Sequence, residues 1–351
     1  MDNLASYTAP LKWCRICLVL LTLFSLNACV TATLTPQQQT SPAIQVPSLS
    51  RQPTTTPLPQ LTPTSVLTVL AGSGHLAFAS DRDGNTDIYT ILADGSELTR
   101  ITNSAEREFS LSASPDGKRI VFVYLDGKDD IYTISSDGSG FLRLTDTIAR
   151  DTFPSWSPDG TEIIFSSNRD PVPDHEGPPP EIYLMADNGS DQTRVTRNTT
   201  SDTCPALSPD GQEIITSSFH YDYETSRIDV VNRDGSAQRM LVDTPAYDLC
   251  PVWSPDGTRI AFSSYTENLT TNSTSVQIWI MNSDGGNLTM LLDENAALIS
   301  RVSWSPDSRW LAFSCIKNDN QDVFVVNIEN HDVFNLTAES LAGEWDPTWL
   351  P

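Results

Sequence analysis

Basic residues are scarce in this chain, which has 21 Lys and Arg against 45 Asp and Glu among 351 residues, a formal net charge of −24. Nucleic-acid phosphates are neutralised by Lys and Arg, so this balance argues against nucleic acid as a partner. It also argues against a polybasic contact with a membrane surface. The acidity favours solubility, or attraction to cations and basic partners.

The usual signals of an enzyme are also scarce. There is no Gly-x-Ser-x-Gly nucleophile elbow. Metal-dependent lyase chemistry needs clustered ligands, but His75, His175, His220 and His331 fall at different phases of the repeat described below. We therefore expect no cofactor, with one exception considered below, a cation bound by a ring of acidic residues.

No apolar run is long enough to span a bilayer. Lys12 and Arg15 precede an apolar run from Ile16 to Leu26, about eleven residues, which is too short for a span but typical of a secretion signal. The run ends in Leu-Asn-Ala-Cys at Cys29, which resembles the lipobox of bacterial lipoproteins. The pattern predicts a lipoprotein signal peptide over residues 1–28 and a lipidated Cys29. The alternative is an ordinary cleaved signal with an incidental cysteine.

Residues 29–72 contain almost no charged or aromatic side chains and are rich in Thr, Pro, Gln and Ser. Such a composition does not bury enough apolar surface to offset the conformational entropy of the chain. We expect this segment to be a disordered tether between the membrane and a folded domain over residues 73–351.

The folded part is organised by a repeated turn. Successive turn Asp residues are 43 to 51 positions apart, a period typical of repeat folds. The turn reads Ser-Pro-Asp-Gly at Ser114–Gly117, Ser157–Gly160, Ser208–Gly211 and Ser254–Gly257, and Ser-Pro-Asp-Ser at Ser305–Ser308.

Each repeat carries four strand signals. In one copy, Pro251–Trp253 precedes the turn, Ile260–Phe262 is the apolar second strand, and Gln277–Ile280 alternates with period two. The fourth strand, Leu288–Leu292, follows Asp284-Gly285, a hairpin signal.

Six copies of the second, third and fourth strands are present, but the first repeat has no first strand of its own. The missing signal stands at the other end of the chain, in Pro347–Leu350. A C-terminal strand that completes the N-terminal sheet removes the exposed edges of a ring. The sequence therefore predicts an all-β fold, a six-bladed β-propeller closed by its C-terminal strand, with one strand from the C-terminus and three from the N-terminus in the shared blade.

The repeat resembles that of the TolB propeller, a WD40-like repeat of bacterial envelope proteins. The resemblance rests on Pro-x-Trp-Ser-Pro-Asp-Gly, followed by Ile-Ala-Phe-Ser-Ser and a later Ile-Tyr, and covers roughly Gly74 to Pro351. It implies a periplasmic docking module, although this chain has a tether where TolB carries an α/β domain. Similar repeats also occur in prolyl oligopeptidase-like enzymes and oligogalacturonate lyases.

Acidic residues recur at one position of the repeat, three residues before the position that Pro251 occupies in the first strand. They would form a ring at the mouth of the central channel, which Ile299 interrupts in one repeat. Each could accept hydrogen bonds from its own loop, or the ring could bind a cation or a basic peptide that relieves its charge repulsion. The members are Glu108, Asp151, Asp202, Asp248 and Glu344.

Three neighbouring repeats have long segments between the second and third strands, at Asn168–Pro180, Ser218–Ser226 and Tyr265–Ser275. Such segments can be plain decoration. Tyr, however, is common on recognition surfaces because it offers a large, stiff and amphipathic contact area. The candidate partner-facing residues are His175, Tyr221, Tyr223 and Tyr265.

Cys204 and Cys250 each stand directly before the Pro of adjacent first strands. In an exported protein they could form a disulfide, or they could remain two separate thiols. Cys315, on a second strand, is expected to be a buried thiol.

Together these patterns predict a monomeric, lipid-anchored protein on the extracytoplasmic side of the cell membrane. It would act as a binding or scaffolding module for an envelope protein or a basic peptide segment, and would touch the bilayer only through its N-terminal lipid. The alternative is an enzyme acting on polysaccharide at the channel mouth, with Asp151, Asp202 or Asp248 as acid, base or metal ligand.

Overall fold

The computed structural model describes residues 74–170, 179–219, 225–268, 273–294, 301–317 and 320–351. All of them belong to the compact unit Thr64–Pro351. Strands are the regular elements throughout these ranges, as the predicted all-β class requires, and none of the ranges contains a helix able to cross a bilayer. The predicted signal peptide, Cys29 and the tether lie outside the described residues.

The described residues form short strands separated by turns. In chain order they are β1 (His75–Ser80), β2 (Asp87–Leu92), β3 (Thr99–Arg100), β4 (Arg107–Ala113), β5 (Arg119–Leu125), β6 (Asp129–Ser135), β7 (Leu142–Arg143), β8 (Asp151–Trp156), β9 (Glu162–Ser167), β10 (Glu181–Ala186), β11 (Thr193–Arg194), β12 (Ser201–Leu207), β13 (Glu213–Phe219), β14 (Ser226–Asn232), β15 (Arg239–Val242), β16 (Tyr247–Trp253), β17 (Arg259–Asn268), β18 (Ser273–Asn282), β19 (Thr289–Glu294), β20 (Ser303–Trp304), β21 (Trp310–Lys317), β22 (Asn320–Asn327), β23 (Val333–Asn335) and β24 (Glu344–Leu350).

The strands pair as the predicted four-strand unit. Strands β4–β7, β8–β11 and β20–β23 each form an antiparallel sheet in chain order. Strands β12–β15 and β16–β19 pair in the same way, and a single parallel bridge between Ser226 and Tyr247 joins the two sets.

The last strand pairs with the first. β24 runs antiparallel to β1, with Trp349 opposite Leu76 and Leu350 opposite His75. Trp349 is 4% exposed and packs in a cluster with Leu76 and Phe78. The sequence predicted this pairing for Pro347–Leu350, and it joins the two ends of the described domain.

The core lies between consecutive sheets. The second strand of a sheet is covered on both faces, which explains why it reads as an almost continuous apolar run. Val121 of β5, for example, packs in one cluster with Ile163 and Phe165 of the next sheet. The largest fully buried side chains include one Phe from each of five second strands, namely Phe78, Phe122, Phe165, Phe262 and Phe313.

The Ser-Pro-Asp-Gly turn is held by its own side chains. The Ser114 hydroxyl donates to Asp116 at 2.6 Å and accepts from the Arg119 amide at 2.9 Å. The Gly117 amide closes the turn on the Ser114 carbonyl at 2.9 Å, with a φ of 67° that favours glycine. The hydrogen bond from Ser114 lowers the pKa of Asp116.

One loop expectation was wrong. Tyr265–Ser275 was expected to be an expanded loop, but β17 and β18 continue as a hairpin, with Thr266 opposite Ser275 and Asn268 opposite Ser273. Thr266 is β-branched, which suits a strand. Polar composition alone did not distinguish an extended hairpin from a loop.

Candidate functional site

All five acidic residues of the predicted ring lie in first strands and are fully buried. Their side chains are held inside the protein by other residues of the chain, so the partners of each carboxylate determine what it can do. The residues at 0% exposure are Glu108, Asp151, Asp202, Asp248 and Glu344.

Two of these carboxylates pair with arginines. Both carboxylate oxygens of Asp151 accept from Arg169 at 2.9 Å, and Glu344 accepts from Arg82. The Arg169 guanidinium also lies 4.9 Å from the centroid of the Tyr183 ring, within cation–π range. Each arginine therefore neutralises one acid and covers an aromatic surface.

Two others rely on neutral donors. Asp202 accepts from Ser218 Oγ at 2.7 Å and from Asn198 Nδ2 at 2.8 Å. Asp248 accepts from Ser264 Oγ at 2.8 Å. Burial raises the pKa of both carboxyls, and the hydrogen bonds oppose that rise.

Among the described residues Glu108 has no arginine partner, and like Glu344 it has one buried carboxylate oxygen without a hydrogen-bond partner. Its Oε1 accepts from Ser104 Oγ at 2.6 Å, whereas Oε2 is buried and has no hydrogen-bond partner. Tyr124 lies opposite Glu108, where the other four carboxylates each face a serine. Burial raises the pKa of Glu108 to about 8.

These contacts are local hydrogen bonds. Local hydrogen bonding was the alternative to a ring that binds a cation or a basic peptide. Asp151, Asp202 and Asp248 each have partners in their own sheet or in the adjoining loop. Among the described residues, no three His, Cys, Asp or Glu side chains are placed to hold a metal ion.

A second set of residues, one position before the Pro position, lies where the first strands kink. Five of them have positive φ, and the pairing with the second strand shifts register at each one. Bulges of this kind re-aim a side chain. The five are Ser110, Phe153, Cys204, Cys250 and Asp346.

Two of these bulge residues are joined covalently. Cys204 and Cys250 form a disulfide between β12 and β16, with their Cα atoms 4.8 Å apart. This is one of the two states that the sequence left open. Cys315 is a buried thiol, as expected, and its Sγ donates to the Ile316 carbonyl oxygen at 3.8 Å.

Arg301, which occupies the equivalent position ahead of β20, was not predicted from the sequence. Its Nη1 donates to the Pro154 carbonyl oxygen at 3.2 Å. Burial lowers the pKa of Arg301 to about 10, against the opposing charge of Asp346. Asp346 in turn accepts from the Ser110 amide at 2.8 Å. The only signal in the sequence was a basic residue two positions after Ile299, where the acidic pattern breaks.

The predicted loop residues are only partly described. His175, Tyr221 and Tyr223 lie outside the described residues. Tyr265 is in β17, 7% exposed, with its ring centroid 5.9 Å from that of Tyr247. Tyr265 is therefore part of a packed strand pair.

The model of the TolB beta propeller domain family matches residues 112–222 and 218–351. TolB from Acinetobacter baumannii is similar in structure at 20% identity, with a TM-score of 0.66, covering 79% of this chain and 67% of that one. A putative TolB from Agrobacterium tumefaciens has 24% identity and a TM-score of 0.53, covering 72% and 89%. Oligogalacturonate lyase from Vibrio parahaemolyticus has 16% identity and a TM-score of 0.51, covering 74% and 73%. No curated protein matches.

Proposed function

This chain belongs to the TolB beta propeller domain family, and on that premise we propose that it is a non-enzymatic binding or scaffolding module of the bacterial cell envelope. The module presents a propeller to an envelope protein or to a basic peptide segment. The net charge of −24 favours a basic partner and disfavours nucleic acid.

In this proposal, residues 73–351 form one closed ring of six blades. Two observations support the ring. β24 pairs with β1 and forms one edge of the sheet that begins with β1. Contacts also link first strands that are remote in sequence, from Arg301 to Pro154 and from Asp346 to Ser110.

The proposed protein is exported, lipidated at Cys29 and held on the extracytoplasmic side by the tether over residues 29–72. The support is the apolar run that ends at Cys29 and the disulfide between Cys204 and Cys250, since disulfides persist mainly outside the reducing cytosol. The protein would be a monomer that touches the bilayer only through its lipid.

One observation favours binding over catalysis. The carboxylates that an enzyme would use at the channel mouth are occupied by hydrogen bonds inside the chain, as in the two-oxygen contact between Asp151 and Arg169. A general acid or base must lie within hydrogen-bond reach of its substrate, and these groups have 0% exposure.

The second candidate is a polysaccharide-acting enzyme, because the fold is shared with an oligogalacturonate lyase. Asp151, Asp202 and Asp248 would then carry the chemistry, or the acidic ring would hold a cation. Either role requires these buried side chains to become accessible when the ligand binds.

The test uses the full-length protein expressed in its own envelope. Cross-linking followed by affinity recovery from detergent-solubilised membranes should yield the same envelope protein in repeated preparations, and a Cys29→Ala variant should no longer sediment with membranes. The same preparation should not cleave a panel of acidic oligosaccharides. Turnover of any of them without a reproducible protein partner would overturn the binding proposal.

A further inference from the structure

Three consecutive sheets carry the same aromatic pair between their second and third strands. The ring centroids of each pair lie 5.7 to 6.3 Å apart, and the rings are stacked. The shared position gives each sheet an equivalent surface beside the buried acid of its first strand. The pairs are Phe78 with Tyr89, Phe122 with Tyr132, and Phe165 with Tyr183.

In the first sheet an arginine of the chain fills this surface. Arg82 Cζ lies 4.8 Å from the Tyr89 ring centroid, and the guanidinium pairs with the buried Glu344. Arg82 Nε also donates to Ser80 Oγ at 3.0 Å. Serine, arginine and acid thus form one unit, in which the arginine stands two positions after the serine.

The third sheet repeats that unit. Arg169 Cζ lies 4.9 Å from the Tyr183 ring centroid, and the guanidinium pairs with Asp151. Its Nε donates to Ser167 Oγ at 2.8 Å. Two independent copies therefore show that this surface is built to hold a guanidinium over an aromatic ring and against a buried carboxylate.

The second sheet keeps the acid and the aromatic pair but lacks the arginine. Tyr124 stands where the serine stands, opposite Glu108, and Asp126 stands where the arginine stands. The Tyr124 ring centroid lies 4.9 Å from that of Tyr132, the distance at which Arg169 covers Tyr183. The Oε2 of Glu108 is left buried without a hydrogen-bond partner.

We propose that the second sheet contains a receptor site for the side chain of an arginine from a partner protein. The guanidinium displaces the Tyr124 ring, stacks on Tyr132 and pairs with Glu108, so that the partner supplies the group that Arg82 and Arg169 supply within the chain. We call Glu108, Tyr124, Asp126, Tyr132 and Phe141 the arginine site. The inference rests on the proposed binding function and specifies where binding occurs.

The arginine site can be reached from solvent. Phe141 is 46% exposed and meets Tyr124 edge-on at 5.4 Å. Tyr124 is only partly buried, and Asp126 and Glu106 are exposed at the rim. Exposed aromatic surface with an acidic rim complements a cationic, planar side chain.

The chain's own cations near the arginine site are already engaged. Arg143, whose Cζ lies 6.0 Å from the Tyr132 centroid, pairs with Asp130 at 2.5 Å and with Asp146 at 2.7 Å. Lys128 donates to Asp146 at 2.9 Å. Arg100, which also acts on Glu108, pairs with Asp87 at 2.5 Å. The Oε2 of Glu108 is therefore left for an external donor.

The protonation state of Glu108 should make the affinity for arginine depend on pH. Its pKa of about 8 means that the free site is largely neutral at pH 7, so a guanidinium that pairs with the carboxylate must displace a proton. Affinity should then rise about tenfold per pH unit below pH 8 and level off above it. The charged groups that face Glu108 are Asp87 and Arg100, and Glu106 and Asp126 act on the neighbouring Tyr124.

The experiment titrates the full-length protein with N-acetyl-arginine amide and follows the amide resonance of Gly127 by NMR. Saturable binding is expected for the arginine amide and none for the uncharged, isosteric N-acetyl-citrulline amide. N-acetyl-lysine amide should bind at least fivefold more weakly, because an ammonium lacks the planar fork. Equal binding of arginine and citrulline amides, or of arginine and lysine amides, would overturn the assignment.

Variants test the geometry. Tyr124→Ser should bind the arginine amide several-fold more tightly, because no ring has to be displaced. Glu108→Gln should lower affinity at least tenfold, whereas Glu106→Gln at the rim should change it less than threefold. The double variant Tyr124→Ser/Asp126→Arg restores the serine-arginine unit of the neighbouring sheets. Its melting temperature should be no lower than that of wild type, and it should no longer bind the arginine amide. If this folded variant bound the arginine amide with wild-type affinity, the proposal would be overturned.

The same double variant separates this inference from the proposed function. If it still recovers the envelope partner that wild type recovers, the arginine site is not the docking site, although the protein remains a binding module. If the arginine amide binds as described but no partner is recovered by wild type, the site stands and the proposed function fails.

Discussion

Arg301 Nη1 donates a hydrogen bond at 3.2 Å to the carbonyl oxygen of Pro154, 147 residues earlier in the chain. The contact joins the residue that precedes β20 to the bulge of β8. Asp346, at the bulge of β24, lies close enough to oppose the effect of burial on the pKa of Arg301. One cation thus ties together three first strands that are far apart in sequence.

Replacing Arg301 with Met should destabilise the protein by about 3 to 5 kcal/mol, because it leaves Asp346 as a buried acid without its counter-charge. The double variant Arg301→Met/Asp346→Asn should recover most of that loss. Urea unfolding of the two single variants and the double variant measures the coupling.

The matched control for this cycle is Arg309→Met. Arg309 is 58% exposed and pairs with Glu329 at 3.6 Å on the surface, so its loss should cost less than about 1 kcal/mol. Equal effects of the two arginine substitutions would contradict a central role for Arg301.

The disulfide should contribute about 2 to 4 kcal/mol, because it closes a loop of 46 residues in the unfolded chain. The variant Cys204→Ser/Cys250→Ser should unfold at lower urea than oxidised wild type and at about the same urea as reduced wild type. Intact mass gives an independent check. After denaturation, iodoacetamide should modify these two cysteines only if the protein has first been reduced, and labelling without reduction would contradict the bond.

Glu108 should make stability depend on pH. Its pKa is about 8 in the folded protein against 4.5 for an ordinary Glu, so between these values the folded state holds a proton that the unfolded state has released. The contribution of the neutral carboxyl to the free energy of unfolding is therefore fully present below about pH 4.5 and is lost as the pH rises through about 8. Glu108→Gln stays neutral, and relative to wild type it should gain about 2 to 4 kcal/mol between pH 5 and pH 9.

Urea unfolding of wild type and Glu108→Gln at pH 5, 7 and 9 measures this difference. Glu106→Gln serves as the control because Glu106 is an exposed acid two positions before Glu108, and its difference from wild type should stay nearly constant. A Glu108→Gln difference that does not change with pH would contradict a neutral Glu108 in the folded protein.

Removing residues 346–351 should lower the melting temperature sharply or prevent folding. The deletion exposes the edge of β1 and removes Trp349 and Leu350, which are 4% and 6% exposed; loss of buried Trp alone typically costs about 3 to 5 kcal/mol. Leu341→Ser, at a residue that is 98% exposed, is the control and should leave the melt unchanged. An unaltered melt after the deletion would contradict the proposed ring closure.

Much of this architecture was predictable from the sequence, because it is local and repeated. The Ser-Pro-Asp-Gly turn, the apolar second strand and the alternating third strand are each set by neighbouring residues, so they recur visibly along the chain. The pairing of β24 with β1 joins the two ends of the domain, but it was predicted by counting strand signals: one repeat lacked a first strand and one first strand was left over.

The state of the acidic residues was decided by tertiary structure. Asp151 and Glu108 occupy the same position of the repeat. Asp151 is neutralised by Arg169, whereas Glu108 faces Tyr124 and has one oxygen without a hydrogen-bond partner. Periodicity located these acids, whereas their burial and partners depend on which side chains the neighbouring loops and sheets bring against them. The hydrogen bond from Arg301 to Pro154 spans 147 residues, and no local pattern encodes it. The sequence by itself determined the repeating strands, and only the packing of those strands decided which charges are paired, which are buried and which carboxylate oxygens have no hydrogen-bond partner.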